Sequence, residues 1–315
     1  MIGIMESLCC AKRQMIFPKL FPDFDITEAN RLYVVGNGFD IHHGIESRYI
    51  DFKDWLQKKK HDSLVRMMDV FFSNKREFWG DIEKALGEYD EKSITDYCEP
   101  ESSQDEILDH PGRWQAGVED SIPYVFGVAM GDFREAFNGW VENIDIDGIE
   151  ADLQMPQQSK YLSFNYTETL EKAYGISTQN ILHIHGSRLD KDAVFEIGHG
   201  NSRDANDPYG DEGQLLPYQN AYSSVIGIMN EWKKDCKGII ERNQYFFNSL
   251  ISVNEVCTIG ISYNDIDLPY LKAVASNVAL DCKWVMNYYS ERDKKNAQRV
   301  AGMLGISNYV INRFE

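Results

Sequence analysis

Two rhythms of apolar and polar positions run along this chain. The first is a set of short apolar runs that stop at Gly, Asn or His: Arg31–Val35, Tyr161–Phe164, Ile181–Ile184, Ala193–Ile197, Glu255–Ile259, Trp284–Tyr288 and Tyr309–Ile311. Short apolar runs bounded by turn residues predict strands buried on both faces. The second is a helical spacing. Tyr49, Phe52, Trp55 and Leu56 share one face of a predicted helix over Ser47–Gln57. Similar spacing predicts helices over Leu64–Phe72, Glu77–Tyr89, Tyr124–Val141 and Glu291–Leu304, the last ended by Gly305. Ser223–Leu250 reads as one long or kinked helix with Gly238 as its candidate break, and residues 90–115, acidic and carrying Pro100 and Pro111, read as a loop or inserted segment.

Strands alternating with helices predict a parallel sheet covered on both sides. The fold class is therefore α/β with a Rossmann-like parallel sheet. The helices at about 47–145 interrupt the alternation after the first strand and are expected to form an insertion or lid. Residues 1–30 read as a partly ordered leader, and 31–315 as a single α/β domain.

The polar residues collect where the predicted strands end. Gly36-Asn37-Gly38, Asn165-Tyr166-Thr167, His185-Gly186-Ser187, Gly198-His199-Gly200 and Gly260-Ile261-Ser262 all sit at such ends. Open parallel sheets bind ligands outside the carboxyl edge of their strands, so these endings predict one shared crevice. The first, an apolar strand running into Gly-x-Gly and a helix, is the arrangement that offers backbone N–H groups to a phosphate. It lacks the third glycine of the dinucleotide fingerprint.

Composition narrows the picture. A net charge of −18 opposes non-specific binding to nucleic acid but not capture of a small anionic nucleotide by local N–H groups. The six cysteines contain no C-x-x-C pair, which predicts reduced thiols in a cytoplasmic protein and neither a disulfide framework nor a zinc knuckle. No apolar run approaches the roughly eighteen residues that a membrane span requires, and none near the start reads as a cleaved signal.

The ordered motifs GNGFDIHHG at 36–44, Tyr49-Ile50-Asp51-Phe52, Trp79-Gly80-Asp81-Ile82-Glu83, SFNYTETLE at 163–171, HIHGS at 183–187, IGHG at 197–200 and GISYNDIDLPY at 260–270 resemble the bacterial abortive-infection AbiH family. That resemblance implies a role in phage defence. The layout is also similar to sirtuin-type NAD-consuming domains, through Gly36–Gly38, Asn165, His185-Gly186 and Gly260–Ser262. It departs from them in having Gly-Asn-Gly in the first loop and no zinc-binding cysteine quartet, so the likeness implies NAD hydrolysis rather than protein deacetylation. NAD is then substrate or ligand, with no cofactor and no metal required.

On this reading Asn165 and His185 are the catalytic pair. Asn165 holds a water or ribose hydroxyl, and His185, with an ordinary pKa of about 6.5, accepts a proton. Nucleotide-binding positions are Gly36, Asn37, Gly38, Asp40, His43, Thr167, Gly186, Ser187, His199, Gly260, Ser262 and Asp267. Each has a competing structural reading. Asp40 can accept from its own turn, His43 can serve as a support, His183 as a packed residue, Glu83 as a buried ion pair, and Asp265 and Asp267 as caps of the helix near Leu268-Pro269. Two other functions stay open: a metal-dependent hydrolase or nuclease built on Asp40, His43, His183, His185, His199, Asp265 and Asp267, and a non-catalytic nucleotide sensor. A defence enzyme that injures its host must be restrained, so a homo-oligomer or a crevice occluded by 90–115, released by a phage or host trigger, is expected.

Overall fold

A computed structural model describes residues 30–72, 78–102, 104–192, 194–201 and 216–314. The expected leader lies almost entirely outside the described residues.

The chain enters the sheet through β1 (Arg31–Val35), whose five residues are all buried. Helices α1 (Asn37–His42), α2 (Tyr49–Lys58), α3 (Asp62–Phe71), α4 (Ile82–Leu86), α5 (Glu91–Cys98), α6 (Gln104–Asp109) and α7 (Pro111–Glu142) follow before the sheet resumes. Next come β2 (Lys160–Ser163), α8 (Thr169–Lys172), β3 (Ile181–His183), α9 (Leu216–Glu231), α10 (Cys236–Arg242) and α11 (Gln244–Asn248). The chain closes with β4 (Glu255–Ile259), α12 (Leu268–Asn277), β5 (Lys283–Tyr288), α13 (Glu291–Leu304) and β6 (Tyr309–Arg313). The six strands are ordered β3-β2-β1-β4-β5-β6 and every pairing is parallel. From β1 the chain builds outward through β2 and β3, then crosses back to add β4, β5 and β6 on the other side. The direction of winding reverses between β1 and β4, the place where such sheets leave a crevice.

Alternate residues of β1 face opposite sides, as a strand requires. Leu32 and Val34 join one core with Val256, Trp284 and Met286, beneath α12 and α13. Tyr33 and Val35 join the other with Tyr161, Cys257, Ile259 and Val285. Full burial of each such aliphatic side chain stabilises by about 1.5–3 kcal/mol. A third core belongs to the helices. Phe52, Phe71, Phe126, Phe133 and Phe137 pack there with Val225 and Met229 of α9. The layer between β1 and β2 is thus completed by a helix that follows β3.

Four expectations need correcting. Residues 90–115 are largely helical, in α5, α6 and the start of α7. Asp90 caps α5 by accepting from Lys92 N, and Pro111 occupies the first turn of α7, where its missing N–H costs nothing. Of the predicted strand Ala193–Ile197, residue 193 lies outside the described residues, and 194–197 are no part of the sheet; Glu196 N–H donates to His185 O at 2.9 Å. The predicted helix over Ser223–Leu250 is three helices, and its break falls between α9 and α10 rather than at Gly238. There Lys233 bridges His199 while Gly238 N donates to Asp235 Oδ1 inside α10. Glu77–Tyr89 shortens to α4, with 77 outside the described residues. By contrast α13 runs over Glu291–Leu304 and stops at Gly305, whose φ of 67° is the left-handed cap its position demands.

Candidate functional site

A cavity of about 650 Å³ opens outside the carboxyl ends of the strands. Its floor comes from the segments after β1, β2, β4 and β5, and its far wall from the helical layer, through Tyr49, Trp79, Asp81, Glu83 and Trp140.

The floor is set by one close backbone approach. Gly36 N–H donates to Ile259 O at 2.8 Å and Gly38 N–H to Gly260 O at 2.9 Å. A Cβ on Gly36 would lie 2.6 Å from Gly260 O, and one on Gly38 2.7 Å from Gly260 Cα. The glycines therefore seat the turn after β1 directly on the turn after β4. This corrects the expected phosphate cradle, because the N–H groups of Gly36 and Gly38 are committed to carbonyls. Asn37 is also engaged, exchanging hydrogen bonds with Ser47 at 2.7 and 2.9 Å, which ties the floor to the segment leading into α2.

Asp40, from α1, is 1 % exposed. Its carboxylate does not turn back on its own loop. Oδ2 accepts from the Thr167 hydroxyl at 2.5 Å, and Thr169 Oγ1 donates to Thr167 at 3.2 Å. Burial raises the Asp40 pKa against these hydroxyls. Asn165, 6 % exposed, is held by its backbone: its N–H donates to Ser163 Oγ at 3.2 Å and its carbonyl accepts from His183 Nδ1 at 2.8 Å. Among the described residues neither Asp40 Oδ1 nor Asn165 Oδ1 has a hydrogen-bond partner. Both residues line the cavity.

His185 lines the same cavity, buried against Phe164, Tyr166 and Tyr270. Its Nε2 faces Lys234 Nζ at 3.4 Å, and Lys234 Nζ meets Glu83 Oε1 at 2.5 Å. Burial and the Lys234 ammonium hold the His185 pKa well below the ordinary value, against a hydrogen bond to the Phe164 backbone. The imidazole is thus neutral near pH 7, but its Nε2 is turned to a cation rather than to the cavity. Asp267 also lines the cavity, and its carboxyl is pushed up to about 7 by burial and by Glu83 and Asp81, with Lys234 opposing.

Of the other expected positions, Thr167, Gly260 and Ser262 line this cavity. His43 does not. Its nitrogens meet Phe39 O at 2.7 Å and Tyr174 OH at 2.7 Å, with Asp152 3.1 Å away, behind α1. Gly186 and Ser187 also fall outside; Gly186 packs near Val194 O, and Ser187 Oγ accepts from Leu189 N at 3.2 Å. His199 lies in a neighbouring chamber of about 500 Å³, which shares Asp81, Glu83, Asn264, Ile266 and Arg292 with the first. His183 is packed against Glu171 at 3.0 Å. No described residue of 90–115 lines either cavity. Lys234 is the main residue that sequence reasoning missed. It falls inside the helix expected over Ser223–Leu250, and the structure instead places it after α9, where its N–H donates to His199 O beside the Lys233–His199 bridge. Among the described residues no group of three or more His, Cys, Asp or Glu side chains is placed to hold a metal ion. Among them, too, no helix is long and apolar enough to cross a membrane.

An all-parallel, Rossmann-like sheet with a polar cleft outside its carboxyl edge defines a class of α/β protein built around a ligand crevice. Within that class, the family model described as bacteriophage abortive infection AbiH matches residues 32–288, and the chain belongs to this family. Membership implies a role in abortive infection, a defence against phage. No curated protein and no solved structure matches the chain.

Proposed function

We propose that this AbiH-family protein acts in phage defence by hydrolysing the N-glycosidic bond of NAD or a related nucleotide. The observation that carries the reading is the pair of buried acceptor oxygens, Asp40 Oδ1 and Asn165 Oδ1, without donors among the described residues on the wall of one cavity. A buried acceptor left unpaired costs about 1–3 kcal/mol, so a ligand offering hydroxyl donors is favoured there. The vicinal hydroxyls of a ribose supply two.

The remaining lining suits that bond. As the C1′–N bond breaks, its electron pair leaves with nicotinamide, which departs neutral, and positive charge builds on the ribose. Asp40, Glu83 and Asp267 place carboxyl groups around that charge, in a cleft where fixed charges act more strongly than in water. Tyr49, Trp79, Trp140 and Tyr166 offer aromatic surface to the departing ring. Arg48 and Arg292, on the exposed side of the cavity, supply cations for the pyrophosphate in place of the committed glycine N–H groups. Water adds to C1′ and its proton passes to a carboxylate.

The experiment is incubation of the purified chain with NAD, with and without EDTA, followed by chromatography of released nicotinamide. Release that survives the chelator, and falls by about 100-fold or more in Asp40→Asn and Asn165→Ala, is the expected result. Tight binding without turnover returns the sensor reading. Metal-dependent cleavage of nucleic acid in a parallel incubation returns the hydrolase or nuclease reading.

A further inference from the structure

Lys234 belongs to none of the motifs above, yet its side chain is fully shut off from solvent. A lysine in that position needs a carboxylate partner, since an unpaired buried ammonium is strongly destabilising. The partner is Glu83, with Nζ 2.5 Å from Oε1, and the same ammonium lies 3.4 Å from His185 Nε2. The placement is built into the backbone. Lys234 N donates to His199 O at 2.9 Å and His199 N to Trp232 O at 3.0 Å, which holds the link between α9 and α10 against the 198–200 segment. Gly198 keeps the approach close, because a Cβ there would lie 2.2 Å from Trp232 O.

Resting on the glycohydrolase reading, the structure assigns Lys234 a positioning role: its ammonium, fixed against Glu83, holds His185 as the neutral Nδ1–H tautomer, leaving Asp267 to move the proton on this wall. An ammonium is only a donor, so the imidazole nitrogen that faces it carries the lone pair. The ring proton then sits on Nδ1, on the side left for the Phe164 backbone, which hydrogen-bonds the ring. An imidazole engaged at both nitrogens has no free lone pair for a water proton.

Asp267 faces Asp81 and Glu83 from the α4 segment, Lys234 and Cys236 from the link into α10, and the phenols of Tyr49, Tyr166 and Tyr270. Burial raises the three phenols and the thiol, so all four stay protonated at neutral pH. Asp267, on the cavity wall with its carboxyl pushed to about 7, is placed to exchange a proton near neutral pH. The proton released when water adds to C1′ passes to the Asp267 carboxylate, and from there to solvent before the next turnover.

The test is nitrogen-15 imidazole spectroscopy of the full chain across pH 5 to 8, in wild type, Lys234→Met and Lys234→Arg, with no nucleotide present. The expected wild-type signal for His185 is a neutral Nδ1–H ring throughout, unchanged in Lys234→Arg. In Lys234→Met, the His185 titration should move up from its wild-type position toward, but not into, the ordinary histidine range of about 6–7, because burial still opposes the charged ring. A wild-type His185 that titrates in that range, or carries its proton on Nε2, overturns the assignment, and this holds even if Lys234→Met does not fold. The pH dependence of nicotinamide release gives the second readout. Asp267→Asn should remove the limb near pH 7, whereas a limb that survives there removes Asp267 from the assignment. Absence of any turnover in wild type overturns the glycohydrolase reading and Asp267's part with it, while the spectra decide the Lys234 lock separately.

Discussion

The Thr167 hydroxyl donates to Asp40 Oδ2 at 2.5 Å, across 127 residues of chain. This bond joins α1, which follows the central strand, to the turn after its neighbour β2. It fixes the carboxylate rotamer so that one oxygen is used inside the protein and the other is left without a partner.

The two oxygens separate by mutation. Thr167→Val removes the donor to Oδ2 of a carboxylate that is 1 % exposed, so unfolding in urea should show a loss of about 1–3 kcal/mol. Asp40→Asn keeps the shape and removes the charge. It should retain the wild-type far-ultraviolet spectrum while nicotinamide release falls by about 100-fold or more. Equal turnover in Asp40→Asn and wild type would sink the role given to this carboxylate.

Glycine positions offer a test of the floor. Gly260 has φ +68°, and a Cβ there would lie 2.2 Å from Phe39 N. Gly260→Ala must therefore strain its own backbone and push α1 off β4, and it should destabilise by more than about 1 kcal/mol. Gly131, inside α7, has nothing within 4 Å of its missing Cβ. Gly131→Ala should stabilise by roughly 0.5–1 kcal/mol, from helix propensity alone. Paired denaturation curves check both signs, and a Gly260→Ala protein as stable as wild type would remove the steric account.

Legibility of this chain followed the reach of the signals. β1 and β4 are fully buried central strands, so every position is apolar or paired, and their limits could be read from the residues. The crevice was legible because strand ends in a parallel sheet share one edge, and Asn165, His185 and Gly260 do meet there. The sequence pattern of 194–197 mimics a strand, since Phe195 and Ile197 are buried, but they pack on the helical core and not in the sheet. Pro111 reads as a breaker and serves as a helix start, because a proline signals both. Lys234 was illegible for a different reason. Its burial depends on Glu83, 151 residues away, and no local pattern carries that information.

His183 should report a pH-dependent contribution to stability. Burial works against its charged form, but the Glu171 carboxylate and the Asn165 carbonyl outweigh it, and its pKa is raised above the ordinary value. A raised folded-state pKa means that the native protein holds the proton more tightly than the unfolded chain. The stabilisation is complete below about 6.5 and is lost as pH rises through the folded value. His183→Gln should therefore cost more stability at pH 5.5 than at pH 8.5 in urea titrations. A cost that is the same at both values would show that the ion pair with Glu171 contributes nothing.

Asp267 carries the same linkage on a carboxylate, and the consequence is of practical use. Its folded value of about 7 lies well above the roughly 3.9 of an unfolded aspartate. The native state therefore binds the proton more tightly, and the stability associated with the neutral acid is present at about pH 4 and below. It declines as pH rises toward 7, where the group becomes an anion among Glu83 and Asp81. Asp267→Asn mimics the neutral acid in shape and hydrogen-bonding capacity. Its melting temperature should match wild type near pH 4 and exceed it at pH 8, while nicotinamide release at pH 8 falls. A site that gains stability when a charged residue is neutralised, and loses turnover by the same change, is one where burial of charge has been retained for chemistry. If Asp267→Asn is less stable than wild type at pH 8, the carboxylate is held by favourable contacts instead, and its place in proton transfer must be given up.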